Sequence, residues 1–279
     1  MIAIIWMTGS LVSFCLMAVA ARELAGELSI FQALFFRSAI GLICLSVIYL
    51  ALKEKPQLST NRLKLHSLRN FVHFAGQYGW FMGISLLPLA NVFALEFTVP
   101  VWTALIAAFF LKETLTQKKI IAICLGLMGV LIIVKPGYGI FELASLIVIG
   151  AAMCYAVAYT TTKALMTTEA PFSILFYMCL LQIPIGFIGS IDHWVWPEGA
   201  QWIWLSLIGM TALTAHYCIT KAMGHAEVTV IVTLDFLRLP LVALIGVFLY
   251  QEAFELSLIL GAGVMLLGNL VNTQRKAKT

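Results

Sequence analysis

The sequence predicts an all-α integral membrane protein of ten transmembrane helices, arranged as two inverted five-helix repeats. Three observations lead there. First, 62% of the 279 residues are hydrophobic and 11% are charged. An ordinary soluble domain averages about 25% charged, so one soluble core cannot hold this much apolar surface and the bilayer must solvate it. Second, ten apolar stretches lie near 2–20, 30–52, 67–87, 91–111, 118–134, 140–163, 171–190, 201–220, 227–250 and 256–273. Each suffices for a helix crossing the hydrocarbon at about 20 residues per span, whereas barrel strands would alternate apolar and polar positions over about ten residues. Third, residues 95–132 recur at 234–271 with a constant offset of 139. Eleven of those 38 positions are identical. Apolar composition alone supplies several of these matches, so the weight falls on Glu96-Phe97 facing Asp235-Phe236 and on Glu113 facing Glu252.

The first span reads as a retained helix. Ala18-Val19-Ala20 resembles a cleavage site, but no Lys or Arg precedes Arg22, and a signal peptide starts positively charged. Span two holds Arg37 early in its course, with two readings: it holds an anionic group, or, the favoured one, it starts near the outer surface and its guanidinium snorkels to the headgroups. Span three carries the clearest polar stripe. At 100° per residue His66, Arg69, His73, Gly76, Gln77, Trp80 and Gly83 share roughly a third of its circumference. That face must look at other helices or at water, with glycines permitting close approach; His66 and Arg69 read as headgroup contacts. Span four puts Glu96, Pro100, Thr103 and Ala107 on the face of Phe93, and span five offers Ala122-xxx-Gly126 for tight packing between the halves or between subunits of a homodimer.

The breaker Lys135-Pro136-Gly137-Tyr138-Gly139 divides repeat 1–135 from repeat 140–273. Span six contributes Tyr155 and Tyr159. Span seven begins with Phe172, Leu175 and Phe176, which match Phe31, Leu34 and Phe35 of span two at an offset of 141. Span eight carries His216 and follows Trp194, Trp196, Trp202 and Trp204, an interfacial belt. Span nine aligns Thr229, Thr233, Phe236 and Pro240 on one face, with Asp235 and Arg238 spaced to pair at i and i+3. Span ten is glycine-rich. The six cysteines are scattered within the apolar spans, so neither a CxxC metal site nor a disulfide framework is indicated.

Lys and Arg concentrate in the even-numbered loops and the tail, from Lys53, Lys55, Arg62 and Lys64 to Arg275, Lys276 and Lys278, and only Arg22 and Lys135 fall in outer loops. The positive-inside rule places both termini in the cytoplasm. The net charge of +4 is then a topology signal and not a nucleic-acid patch. Five spans per repeat make the second copy enter from the opposite side, the architecture of alternating access around a central site.

Pro88-Leu89-Ala90, Ala94-Leu95-Glu96-Phe97 with Pro100, Leu111-Lys112-Glu113-Thr114-Leu115, Gly126 and Gly129, then Tyr250-Gln251-Glu252 and the Gly261-to-Gly268 helix resemble the drug/metabolite transporter superfamily, EamA type. The likeness covers essentially the whole chain. It implies ten helices in two inverted repeats, in a bacterial inner membrane, moving a small-molecule substrate. Gly76-Gln77-Tyr78-Gly79-Trp80 and Leu234-Asp235-Phe236-Leu237-Arg238 look most like the riboflavin-permease branch, which implies riboflavin uptake, with amino-acid or drug export as the alternative.

Carboxylates at bilayer depth are costly, about 2.5–3.5 kcal/mol on insertion scales, and are site candidates for that reason. Glu96 and Asp235, at matching depth in the two repeats, are expected to bind substrate together with Trp80, Gln77, His73, Arg238, Thr233 and Tyr155. Two bland readings stand beside this: Asp235 balances Arg238, and His73 is a packed hydrogen-bonding residue. No HExxH, GxSxG or paired aspartates suggest an enzyme, and no GxxxxGK[ST] suggests nucleotide-driven pumping, so no cofactor or metal is expected.

Overall fold

Inside a bilayer no water is available to the peptide groups, so apolar runs bond their own backbones as helices. The computed structural model describes residues 2–112, 114–134, 143–251 and 256–273. The described residues form α1 (Ile2–Glu23), α2 (Ile30–Ala51), α3 (Leu63–Leu86), α4 (Leu89–Glu96), α5 (Val99–Phe110), α6 (Gln117–Val134), α7 (Leu143–Leu165), α8 (Pro171–Ser190), α9 (Gln201–His225), α10 (Val228–Leu234), α11 (Arg238–Tyr250) and α12 (Leu256–Thr273). Six helical segments among them are long and apolar enough to cross a membrane: Ile2–Glu23, Ile30–Ala51, Leu89–Phe110, Leu143–Leu165, Pro171–His193 and Gln201–His225. Helix α3 has 24 residues, but its polar stripe keeps it out of that set. The protein is a multi-pass, all-helical membrane protein. The Glu113/Glu252 match and the Lys135–Gly139 breaker lie outside the described residues.

Two predicted spans are broken. Residues 91–111 form α4 and α5 with an interruption at Phe97-Thr98, and residues 227–250 form α10 and α11 joined by a 3₁₀ turn over Asp235–Leu237. Prolines explain the breaks: Pro100 in the first turn of α5 and Pro240 in the first turn of α11 have no N–H to give to the preceding turn. Glu96 ends the first half-helix and Asp235 starts the turn of the second, so the repeat places one carboxylate at each break.

Packing pairs α1 with α9, α3 with α7, α2 with α8 and α6 with α12, while α4 lies on α11 and α5 on α10. The α3–α7 contact depends on the glycines of the stripe. A Cβ on Gly76 would sit 3.1 Å from the Tyr155 ring and 3.2 Å from the Ala151 carbonyl oxygen, and one on Gly83 would overlap the Val148 side chain. The predicted tight face of α6 is likewise real, because Gly268 of α12 brings its Cα within reach of Ala122, whose carbonyl oxygen a Cβ would meet at 3.0 Å.

His66 and Arg69 are both buried, which corrects their reading as headgroup contacts. His66 Nε2 lies 3.3 Å from Glu169 Oε2, and Arg69 donates to Asn70 Oδ1 at 2.6 Å and Thr162 Oγ1 at 3.2 Å. Of the tryptophan belt, Trp196 and Trp202 are exposed, whereas Trp194 turns inward onto Phe35, Phe36 and Phe187.

Candidate functional site

The two helix breaks meet at one buried ion cluster. Arg238 Nη2 donates to Glu96 Oε1 and to Asp235 Oδ2, both at 2.7 Å, so one guanidinium nitrogen joins a carboxylate from each half of the chain. Trp80 Nε1 donates to the other Glu96 oxygen at 2.8 Å. The i,i+3 pairing of Asp235 with Arg238 is therefore present, and the turn between α10 and α11 holds it. The guanidinium carbon of Arg238 also lies 4.5 Å from the ring centre of Phe14 and 5.1 Å from that of Phe93. Aromatic faces stabilise a cation where water is excluded. Asp235 Oδ1 and Arg238 Nε are buried without a hydrogen-bond partner.

A second polar cluster is neutral apart from one arginine. Arg37, on α2, donates to Gln182 Oε1 of α8 at 3.3 Å. The Gln77 amide takes the orientation that satisfies its neighbours, with its oxygen 2.9 Å from both terminal nitrogens of Arg37 and its nitrogen 3.3 Å from Gln182 Oε1. His73 Nδ1 lies 3.1 Å from that Gln77 oxygen and 3.0 Å from Gln182 Nε2. Its ring stands edge-on to His216, with centres 4.7 Å apart. Arg37 is only 2% exposed. It points inward, which corrects the expectation that it snorkels to the outer surface: Gln77 and Gln182 hold its head group inside.

Between the clusters lies a cavity of about 10 Å³, lined by Arg37, Gln77, Trp80, Glu96, Tyr155 and Arg238 among the residues expected or newly placed there, and by Phe14, Met17, Phe81, Tyr159 and His216. That volume admits about one water molecule, whereas sites for small organic ligands run to about 300–1,000 Å³. The cavity is thus too small for an organic solute in this conformation. Asp235 stands behind Arg238, and His73 behind Gln77; neither lines the cavity. Thr233 lies on α10, with its side chain outside the described residues.

Arg37, Gln182, Phe14 and Tyr159 complete the constellation. A mid-span glutamine such as Gln182 was a usable signal, since an amide buried in an apolar helix needs a partner. Nothing in the sequence around Phe14 distinguishes it from the other apolar residues of α1.

The family model described as the EamA-like transporter family matches this chain twice, over residues 1–135 and 142–274. A Rickettsia bellii protein named "S-adenosylmethionine uptake transporter" is 26% identical across 99% of this chain and 95% of its own length. A Vibrio cholerae protein named "Riboflavin transporter" is 30% identical across 86% of this chain and 81% of its own. One crystal structure superposes with a TM-score of 0.80 at 18% identity, covering 97% of this chain and 96% of that one, a likeness of fold.

Proposed function

The chain belongs to the EamA-like transporter family, and from that premise we propose that it imports a small metabolite with a flat heteroaromatic ring by alternating access. The reading places it in a bacterial inner membrane with both termini cytoplasmic. The observation that carries it is the occluded cavity at the two helix breaks, lined by Trp80, Tyr155 and Tyr159 and by charges of both signs. Broken helices meeting near mid-membrane are how secondary transporters build a substrate site without exposing free backbone to lipid. Energy then comes from a solute or ion gradient.

Two inverted five-helix repeats are supported by the double family match. They are also supported by the helix pairing, since α1 on α9 and α7 on α3 are the same contact under exchange of the repeats. A second correspondence bears on mechanism. Arg22 at the end of α1 donates to the carbonyls of Ile84 and Leu87 at the end of α3, at 2.5 and 3.0 Å. Lys163 at the end of α7 donates to those of Met223 and Ala226 at the end of α9, at 2.6 and 2.7 Å. Each cation satisfies helix-terminal carbonyls. Each joins the α1–α9 pair to the α3–α7 pair, and in the inverted arrangement they do so at opposite membrane faces. Both latches are closed, which fits the occluded site. Lys163→Met is expected to raise alkylation of a cysteine placed at Tyr155 from the cytoplasmic side by about fivefold, and Arg22→Met to do so from outside, the gain from losing about 1 kcal/mol of hydrogen bonding. Equal labelling in all three proteins would remove the latches from the mechanism.

Orientation has its own test. A membrane-impermeant thiol reagent applied to intact cells should label a cysteine placed at Glu198 and leave one at Lys118 unlabelled; the reverse pattern overturns the topology.

For the substrate, riboflavin is supported by the relative that is 30% identical and by the stacking surface of the cavity. S-adenosylmethionine is a second reading, supported by the relative matched across 99% of this chain and by the mixed charge of the lining. The test expresses the chain in a riboflavin-auxotrophic bacterium on limiting riboflavin and follows uptake of labelled S-adenosylmethionine in the same cells. Rescue assigns riboflavin; accumulation of label without rescue assigns S-adenosylmethionine. Neither, with the protein shown in the membrane, rejects heteroaromatic import.

A further inference from the structure

We infer that Arg37 is an anion subsite and that the transported metabolite carries an acidic group, a carboxylate or a phosphate, beside its ring system. This rests on the transport reading above and narrows its substrate class, favouring S-adenosylmethionine, which carries a carboxylate, over riboflavin, which carries no acidic group.

Arg37 lines the cavity and is 2% exposed. Its partners, Gln77 and Gln182, are neutral amides, and its Nε is buried with no partner. Among the described residues no carboxylate lies within ion-pair distance of it. The other arginine of the cavity is treated quite differently: Arg238 has carboxylates on both sides at 2.7 Å. Arg69, the third buried arginine, bonds Asn70 and Thr162 and does not reach the cavity. Among the described residues the buried guanidinium groups are those of Arg37, Arg69 and Arg238, and the two carboxylates beside the cavity, Glu96 and Asp235, are both taken by Arg238.

A guanidinium at membrane depth with only amide partners is expensive to keep, and such residues mark ligand paths. Arginine suits the task because its planar fork binds carboxylate and phosphate oxygens in pairs. The amides of Gln77 and Gln182 fix its head group while leaving donor capacity unused. An acidic group arriving with the solute would meet the unpaired Nε and balance the charge of Arg37. The Tyr155 and Trp80 rings of the same cavity remain for the heterocycle, and Glu96 for a basic or donor group.

Two pairs of probes differ chiefly by one acidic group: S-adenosylmethionine against its decarboxylated form, and flavin mononucleotide against riboflavin. Uptake of each would be measured in proteoliposomes holding the full chain, with parallel thermal shifts on the purified protein. In one pair the acidic member should be taken up with a KM about tenfold or more below that of its mate. The expected KM for that member rises by a similar factor in Arg37→Gln and less in Arg37→Lys, and the mate is indifferent to either change. If neither pair shows a lower KM for its acidic member, or if Arg37→Gln leaves that member's KM unchanged, the anion subsite is wrong while heteroaromatic transport stands. If no probe is carried or shifts the melting temperature, both readings fall. The pair that responds tells carboxylate from phosphate, and the wild-type comparison decides the question even where Arg37→Gln fails to fold.

Discussion

Arg238→Leu is expected to abolish transport and to destabilise the protein by about 3–5 kcal/mol, the cost of breaking a buried ion pair from one side. The loss is large because Arg238 is the ion-pair partner of two buried carboxylates, Glu96 and Asp235, at 2.7 Å each. Leucine would leave both facing the Phe14 and Phe93 rings, which now stabilise a cation. Those carboxylates would have to take up protons or draw in water, and the contact of α4 with α11 would loosen with them. The measurement is monodispersity and melting temperature of detergent-purified protein, alongside uptake. Adding Glu96→Gln and Asp235→Asn to Arg238→Leu should recover most of the stability and none of the transport. A triple variant as unstable as the single one would mean that Arg238 acts through packing and not through charge.

Glu96→Gln separates the same two roles in one residue. A glutamine oxygen still accepts from Trp80 Nε1, the bond now made at 2.8 Å, so α4 keeps its place against α3 and the yield in the membrane should stay near wild type. What disappears is the negative charge shared with Arg238 at the break between α4 and α5. Uptake is expected to fall by about 10–100-fold, on the scale of a charged hydrogen bond worth about 1.5–3 kcal/mol. Full uptake by this variant would remove Glu96 from the substrate path and leave it a structural counter-ion.

Much of this arrangement was legible in the sequence because the bilayer makes burial readable. Uncharged runs of about 20 residues become helices, and a polar stripe at 100° spacing must face protein, which is where His73, Gln77 and Trp80 of α3 lie. The acidic-Phe repeat falls at both helix breaks, which the continuous apolar runs 91–111 and 227–250 do not mark, and the spacing of Asp235 and Arg238 foretold their bond. The errors have a common cause. Periodicity assigns a residue to a face but not to a partner, and depth along a helix does not say whether a long side chain reaches outward or inward. Arg37 therefore read as a snorkelling residue, although Gln182 lies 145 positions away in sequence and draws it inside. His66 and Arg69 read as headgroup contacts for the same reason, since Glu169 of the α7–α8 turn and Thr162 of α7 reach them from a distant part of the chain. The ion pair of Glu96 with Arg238 joins the two halves of the chain, and no local pattern records it.

The most direct test of the central claim is counterflow in proteoliposomes made with the purified chain. Vesicles would be loaded with unlabelled S-adenosylmethionine or riboflavin and diluted into a trace of the same labelled solute. Alternating access through a shared central site predicts a transient accumulation of label far above that in empty vesicles, faster with loading than without, for at least one of the two. Equal label in protein-containing and empty vesicles for both solutes, with the protein shown to be folded by its melting transition, would contradict the account.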